Sequence, residues 1–188
     1  MNFSIPIILA SSSPRRQELM KAAGFDFTVI KPEVEEIWPS EMDVRKVPTH
    51  LAQLKAQALI TQYDHAIVLA ADTVVLLNNT ILGKPQNIKE ATRMLLDLSG
   101  QTHQVVTGVC LLGQKKIVLF EDTTSVTFRQ LSPEEIAHYI EHFQPFDKAG
   151  AYGIQEWLGM IAVEKIQGSY YNVMGLPINK VYEALHDW

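Results

Sequence analysis

Two arginines at a helix start are the first residues that could do chemistry. The stretch Ala10-Ser11-Ser12-Ser13-Pro14-Arg15-Arg16 follows a short apolar run. Serine at the N-cap and proline at the first helical position signal a helix start. Backbone N–H groups there point forward, and the helix dipole favours an anion in front of them. Cations in that first turn are unfavourable unless negative charge sits with them. Arg15 and Arg16 therefore read either as a phosphate grip or as a solvated surface pair.

Three further segments invite the same question. Ala70-Ala71-Asp72-Thr73-Val74-Val75 sets one carboxylate in an apolar run. An unpaired charge in such surroundings is costly, so Asp72 faces a cavity, a metal or a base partner, unless it caps backbone at a strand end. Gly83-Lys84-Pro85 gives a lysine a defined backbone, although alone it is an ordinary turn. Asp147 to Gln155 carries Gly150 and Gly153 with small residues between them. Such a loop allows close backbone approach to a ligand, and Gln155 offers both a donor and an acceptor to a base edge. Glu33, Glu35 and Glu36 are either part of a metal shell or a solvated acidic patch.

Other chemistry is excluded or weak. No P-loop, nucleophile-elbow or HExxH motif is present. His138 and His142 stand four apart on an expected helix, but no third metal ligand is near in sequence, so they read as a solvated face. Cys110 is the single cysteine, which excludes an intramolecular disulfide and every CxxC motif. It reads as a buried small hydrophobe. Sixteen Lys and Arg against 21 Asp and Glu give a net charge of −5, which argues against nucleic-acid and anionic-membrane partners. The chain of 188 residues is 47% hydrophobic and 20% charged, as expected of a globular protein with a real core. The start Met1-Asn2-Phe3-Ser4 has no basic region before its apolar stretch and does not resemble a signal peptide. The run Ala66 to Leu77 is too short to span a bilayer. A cytoplasmic location is expected, which makes the sequons at Asn2 and Asn78 irrelevant.

Elements must position these residues. Ile5 to Leu9 reads as a buried strand, followed by a helix that Gly24 stops, then a strand over Phe25 to Ile30. Val44 to Tyr63 reads as a helix with Leu51, Leu54, Ala58 and Leu59 at helical spacing, and Pro48 in its first turn. Ala66–Ala71 and Thr73–Leu77 read as strand, with a turn at Asn78-Asn79 and a return over Thr80–Leu82. Asn87 to Leu98 is a helix with Ile88, Ala91 and Leu95 inward, closed by Gly100. Val105–Leu112 and Ile117–Phe128 form two strands paired across Gly113. Ser132-Pro133-Glu134-Glu135 starts another helix, with Ile136, Ile140 and Phe143 on one face. Met160 to Ile166 reads as strand, and Pro177 to Leu185 as a closing helix. Interleaved strands and helices make the class α/β, in one domain over residues 1–188.

Taken together the segments resemble the Maf family of nucleoside triphosphate pyrophosphatases. The matching stretches are Leu9–Leu19, Ala70–Pro85, Leu98–Val109, Asp147–Gln155 and Gly168–Ile178, in the family's order and across most of the chain. The Asp147–Gln155 loop resembles the branch that acts on dTTP and UTP. The resemblance implies a mixed twisted sheet flanked by helices, in two lobes with a central cleft. It implies hydrolysis between the α- and β-phosphates with a divalent cation, Mg, Mn or Co. Asp72 matches the family's proton acceptor. Glu36 matches an acidic residue near the metal and water, so Glu36 and Asp72 are the expected metal ligands. Arg15 and Arg16 match phosphate-binding arginines, with Ser11 beside them, and Lys55 and Lys84 match lysines of the site. Arg15, Thr73 and Gln155 match positions tied to substrate choice. The partner implied is a nucleoside triphosphate, and the family's frequent homodimers allow one here. The alternative is a nucleotide-binding regulator of cell division or septum formation without turnover.

One departure stands out. After Gln155 the chain reads Glu156-Trp157-Leu158-Gly159, where the branch pattern has glycine and a shorter turn. The indole is expected to reshape the pocket or stack on the base.

Overall fold

The computed structural model describes residues 5–188, so Met1 to Ser4, with the Asn2 sequon and the leader question, lie outside the described residues. The described strands form a seven-stranded mixed sheet in the order β2-β1-β3-β5-β6-β7, with β4 paired to β3, and helices flank it. The α/β expectation holds.

The chain divides into two compact units. The first comprises residues up to Thr73, Thr107–Asp122 and Gly175–Trp188. Here β1 (Ile7–Ala10) lies parallel to both β2 (Thr28–Ile30) and β3 (Ile67–Leu77). Helix α1 (Pro14–Ala22) starts at Ser13 with Pro14 in its first turn, and Gly24 at φ 80° follows its end. Helix α2 (Val47–Ile60) carries Pro48 in its first turn, as expected, and packs on β1. Its buried stripe is Leu51, Ala52, Lys55, Ala56 and Leu59; Ala58, expected inward, is exposed. Ala52, Ala56 and Leu59 join Ile8, Ala10, Val68, Ala70 and Cys110 in one core cluster. Cys110 is thus the buried small hydrophobe expected.

The second unit comprises Val74–Val106 and Thr123–Met174. The end of β3 turns at Asn78 and Asn79, with φ of 50° and 63°, into antiparallel β4 (Thr80–Leu82). Two consecutive left-handed residues match the twist of a tight hairpin. Helix α3 (Ile88–Leu98) is capped by Asn87, whose side chain accepts from the Glu90 N–H. Ile88 is not inward: it is 63% exposed, because it sits at the first helical position, outside the stripe of Ala91, Met94, Leu95 and Leu98. Strands β5 (Thr102–Leu112) and β6 (Ile117–Phe128) are neighbours. Helix α4 (Pro133–Phe143) begins with a full capping box between Ser132 and Glu135.

Two elements differ from the sequence expectation. Met160 to Ala162 belong to a short helix, α5 (Trp157–Ala162), and only then does β7 (Val163–Gln167) begin, antiparallel to β6. Apolar runs this short do not distinguish strand from helix by pattern alone. Helix α6 (Tyr170–Met174) precedes α7 (Ile178–His186), the closing helix expected. Among the described residues no helix is long and apolar enough to cross a membrane.

Candidate active site

The apolar stripe of α2 contains one intruder, Lys55. It falls four residues after Leu51 and four before Leu59, so the helix turns it inward with them. A buried ammonium needs partners. Its Nζ lies 2.5 Å from Asp72 Oδ1 and 2.9 Å from Glu36 Oε1. The Lys55 and Asp72 side chains are 10% and 14% exposed, while Glu36, on the loop after β2, is half exposed. Asp72 therefore finds a base partner, one of the three options its surroundings allowed. Glu36 joins the cluster; Glu33 and Glu35 stay exposed.

The same stretch of β3 engages Arg16. Its Nε donates to Gly175 O at 2.8 Å and its Nη1 to Ala71 O at 2.7 Å. Nη1 also reaches Ser11 Oγ at 3.4 Å, and Nη2 donates to Thr73 Oγ1 at 3.0 Å. Four of the guanidinium's five N–H donors thus face protein acceptors. Burial lowers the pKa of this guanidinium, the Asp72 charge raises it again, and neighbouring Arg15 lowers it. Arg15, in the first turn of α1, is half-buried.

Two residues of this cluster were not singled out from sequence. Gly175 turns its carbonyl to Arg16 at φ 114°, a conformation that favours glycine. Thr107 is fully buried, with its hydroxyl 3.0 Å from that of Thr73. The signals were present: a glycine before Leu176-Pro177, and a hydroxyl within the apolar run of β5.

Lys84 and Gln155 belong to the second unit, and both are exposed. Their loops meet: the Gly150 N–H donates to Gly83 O at 3.0 Å. Gly150, at φ 68°, packs its Cα face on Val75. Trp157 does not stand free beside Gln155. Its indole packs against His138 at 4.9 Å and Phe143 at 6.5 Å between ring centroids, on α4. His138 and His142 are exposed, with rings 4.2 Å apart. No group of three or more His, Cys, Asp or Glu that could hold a metal occurs among the described residues.

The family model for Maf-like proteins matches residues 6–188. The chain belongs to the Maf-like family. This Maf-like chain is 48% identical over 186 residues to a dTTP/UTP pyrophosphatase of Porphyromonas gingivalis, covering 97% of the chain and 94% of the relative. It is 48% identical over 180 residues to a dTTP/UTP pyrophosphatase of Flavobacterium johnsoniae, covering 95% and 93%. Among solved structures, the Staphylococcus aureus Ham1 protein aligns at TM-score 0.48 and 20% identity, over 65% of the chain and 71% of that protein.

Within the Maf-like chain, Glu36 and Asp72 bring two carboxylates to one Lys55 Nζ. Mg²⁺ is held by one or two carboxylates, with substrate phosphate oxygens and waters filling the remaining positions. The donor chemistry fits a divalent cation of that kind.

Proposed function

We propose that this chain is a nucleoside triphosphate pyrophosphatase acting on dTTP and UTP. It cleaves between the α- and β-phosphates and releases the nucleoside monophosphate and pyrophosphate. The observation that carries the reading is the Glu36–Lys55–Asp72 cluster around the buried Lys55, in the same unit as the arginines of α1, in a chain whose relatives bear that activity in their names.

The chemistry follows from these side chains. Lys55 holds Oδ1 of Asp72, and Asp72 accepts the proton of the attacking water. As the water oxygen bonds to phosphorus, the bond to the bridging oxygen breaks and pyrophosphate leaves. Positioning and charge stabilisation supply most of the rate in such reactions. Glu36 and Asp72 would hold a divalent cation, Mg²⁺, Mn²⁺ or Co²⁺. When bound, the cation neutralises phosphate charge and polarises the phosphoryl group. Arg15 and Arg16 are the phosphate-binding arginines of this reading, and Arg16 also donates to the protein. Arg16 fixes Ser11 and Thr73, the hydroxyls expected to touch substrate.

Lys84 and Gln155 take the roles the resemblance gives them, a charge for phosphate and an amide for the base. Their exposure on loops supports both roles. Gln155 can accept from N3–H and donate to a carbonyl of uracil or thymine. A buried free cysteine suits a reducing cytoplasm.

The test is pyrophosphate release from a panel of nucleoside triphosphates, with Mg²⁺ or Mn²⁺ and with chelator. Metal-dependent cleavage led by dTTP and UTP is expected. Asp72→Asn should keep nucleotide binding and lose at least ~100-fold in turnover, the scale of a lost acid–base group. A folded wild-type chain that binds nucleotide without cleaving it would replace the enzyme with a regulatory sensor. Near-normal turnover of the variant would remove Asp72 from the chemistry.

A further inference from the structure

Gln155 sits third in the turn Gly153-Ile154-Gln155-Glu156, which the Glu156 N–H closes by donating to Gly153 O at 3.1 Å. The residue that closes the turn also braces it from below. A Cβ built on Gly153 would lie 2.8 Å from the Glu156 carboxyl carbon and about as close to both its oxygens. The carboxylate thus packs on the bare Cα face of Gly153.

Two groups hold that carboxylate. Lys148 Nζ pairs with its Oε1 at 3.1 Å, and the Tyr139 hydroxyl donates to its Oε2. The same hydroxyl accepts from the Gly153 N–H at 3.0 Å. The Lys148 side chain is 9% exposed and Glu156's is 21% exposed, so the pair is shielded from water. Asp147 Oδ1, 2.6 Å from Lys148 Nζ, completes the network. Behind the turn, Gly159 lets α5 close on it: a Cβ there would meet Ile154 O at 1.9 Å.

We propose that Glu156 is a positioning residue for nucleotide selectivity. Its carboxylate clamps the Gly153–Glu156 turn to Lys148 and Tyr139, and so fixes where the Gln155 amide projects. The proposal deepens the reading of Gln155 as the base-reading side chain and rests on it. A preorganised amide spends less ordering entropy on binding and tells imide from amine edges more sharply.

The test compares wild type, Glu156→Ala and Glu156→Gln in two ways. Steady-state kinetics use UTP and CTP, and hydrogen exchange is followed over residues 150–156. Glu156→Ala should raise KM for UTP about tenfold with kcat nearly unchanged, the split expected when binding geometry rather than chemistry is lost. Its preference for UTP over CTP should fall, and the Gly153 amide should exchange faster. Glu156→Gln keeps an acceptor for Tyr139 and should recover part of both losses, which a purely structural role would not give. Unchanged KM and selectivity in Glu156→Ala, with an active wild type, would overturn the proposal. A fall in kcat at constant KM would overturn it too, by moving Glu156 into the chemistry. An inactive wild type would sink the enzymatic reading instead. Amide exchange would then decide alone: unchanged protection of Gly153 in Glu156→Ala removes the clamp. Should Glu156→Ala fail to fold, Glu156→Gln carries the same readouts.

Discussion

Arg16 and Lys55 show how two cations of one cluster can do different work. Lys55 is a compact charge that two carboxylates share, while Arg16 is a planar fork whose directed donors tie Ser11, Ala71, Thr73 and Gly175 together. Lysine at position 16 would keep the charge and lose that geometry. Arg16→Lys should therefore destabilise the fold by on the order of 2–4 kcal/mol, given the usual worth of charge-assisted bonds and of buried carbonyls left unpaired. Urea unfolding checks this. An unchanged midpoint would return Arg16 to the role of phosphate ligand. From sequence alone Arg15 and Arg16 were indistinguishable, because both lie in one helical turn. Only the folded chain shows that Arg16 reaches acceptors on β3 and at Gly175.

Glycine does comparable work for whole elements. Helix α2 can lie on the sheet only because β5 carries Gly108 at the contact. A Cβ there would fall 2.1 Å from Thr49 N and 2.4 Å from Pro48 C, both backbone atoms at the start of α2. Backbone cannot step aside as a side chain does. Gly108→Ala should cost about 3 kcal/mol, the upper end of overpacking penalties, or prevent folding. Because α2 carries Lys55, turnover should fall with it. A thermal melt with an activity assay reads both, and a stable, active variant would show that α2 shifts freely. The helix starts near Pro14, Pro48, Asn87 and Ser132 were legible in sequence because first-turn prolines and side-chain caps are local chemistry. The nature of Met160–Ala162 was not: an apolar run this short reads equally as strand or helix, and here it ends α5.

For the molecule as a whole, acid sensitivity has a definite source in the second unit. His103 is buried, with Nε2 2.7 Å from the Tyr152 hydroxyl and the ring edge-on to Phe128 and Tyr152. Its Nδ1 has no hydrogen-bond partner among the described residues, so a second proton would find no acceptor. Burial pulls its pKa from 6.5 to about 4. Between those values the unfolded chain binds a proton that the folded chain refuses. Stability from this group is therefore complete above pH 6.5 and lost as pH falls toward 4, by on the order of 3 kcal/mol. Glu135, held low by its hydrogen bond from Arg129, pushes the same way. Urea midpoints measured from pH 7 to pH 4 should fall, and His103→Gln should flatten part of that slope. An equal slope in the variant would assign acid sensitivity to the carboxylates alone.

The sequence by itself determined the α/β class, most element starts, the Asn78-Asn79 hairpin, the family resemblance and the chemically competent side chains. Those features rest on neighbours within a few residues, or on motifs read along the chain. Tertiary structure decided which of those side chains are used and how. It gave Asp72 its lysine, spent Arg16 on the protein, packed Trp157 against α4 and brought Tyr139 of α4 to the Glu156 carboxylate. Each outcome joins side chains to groups brought near by packing. For Arg16 and Gly175, 159 residues apart, no local pattern encodes the distance.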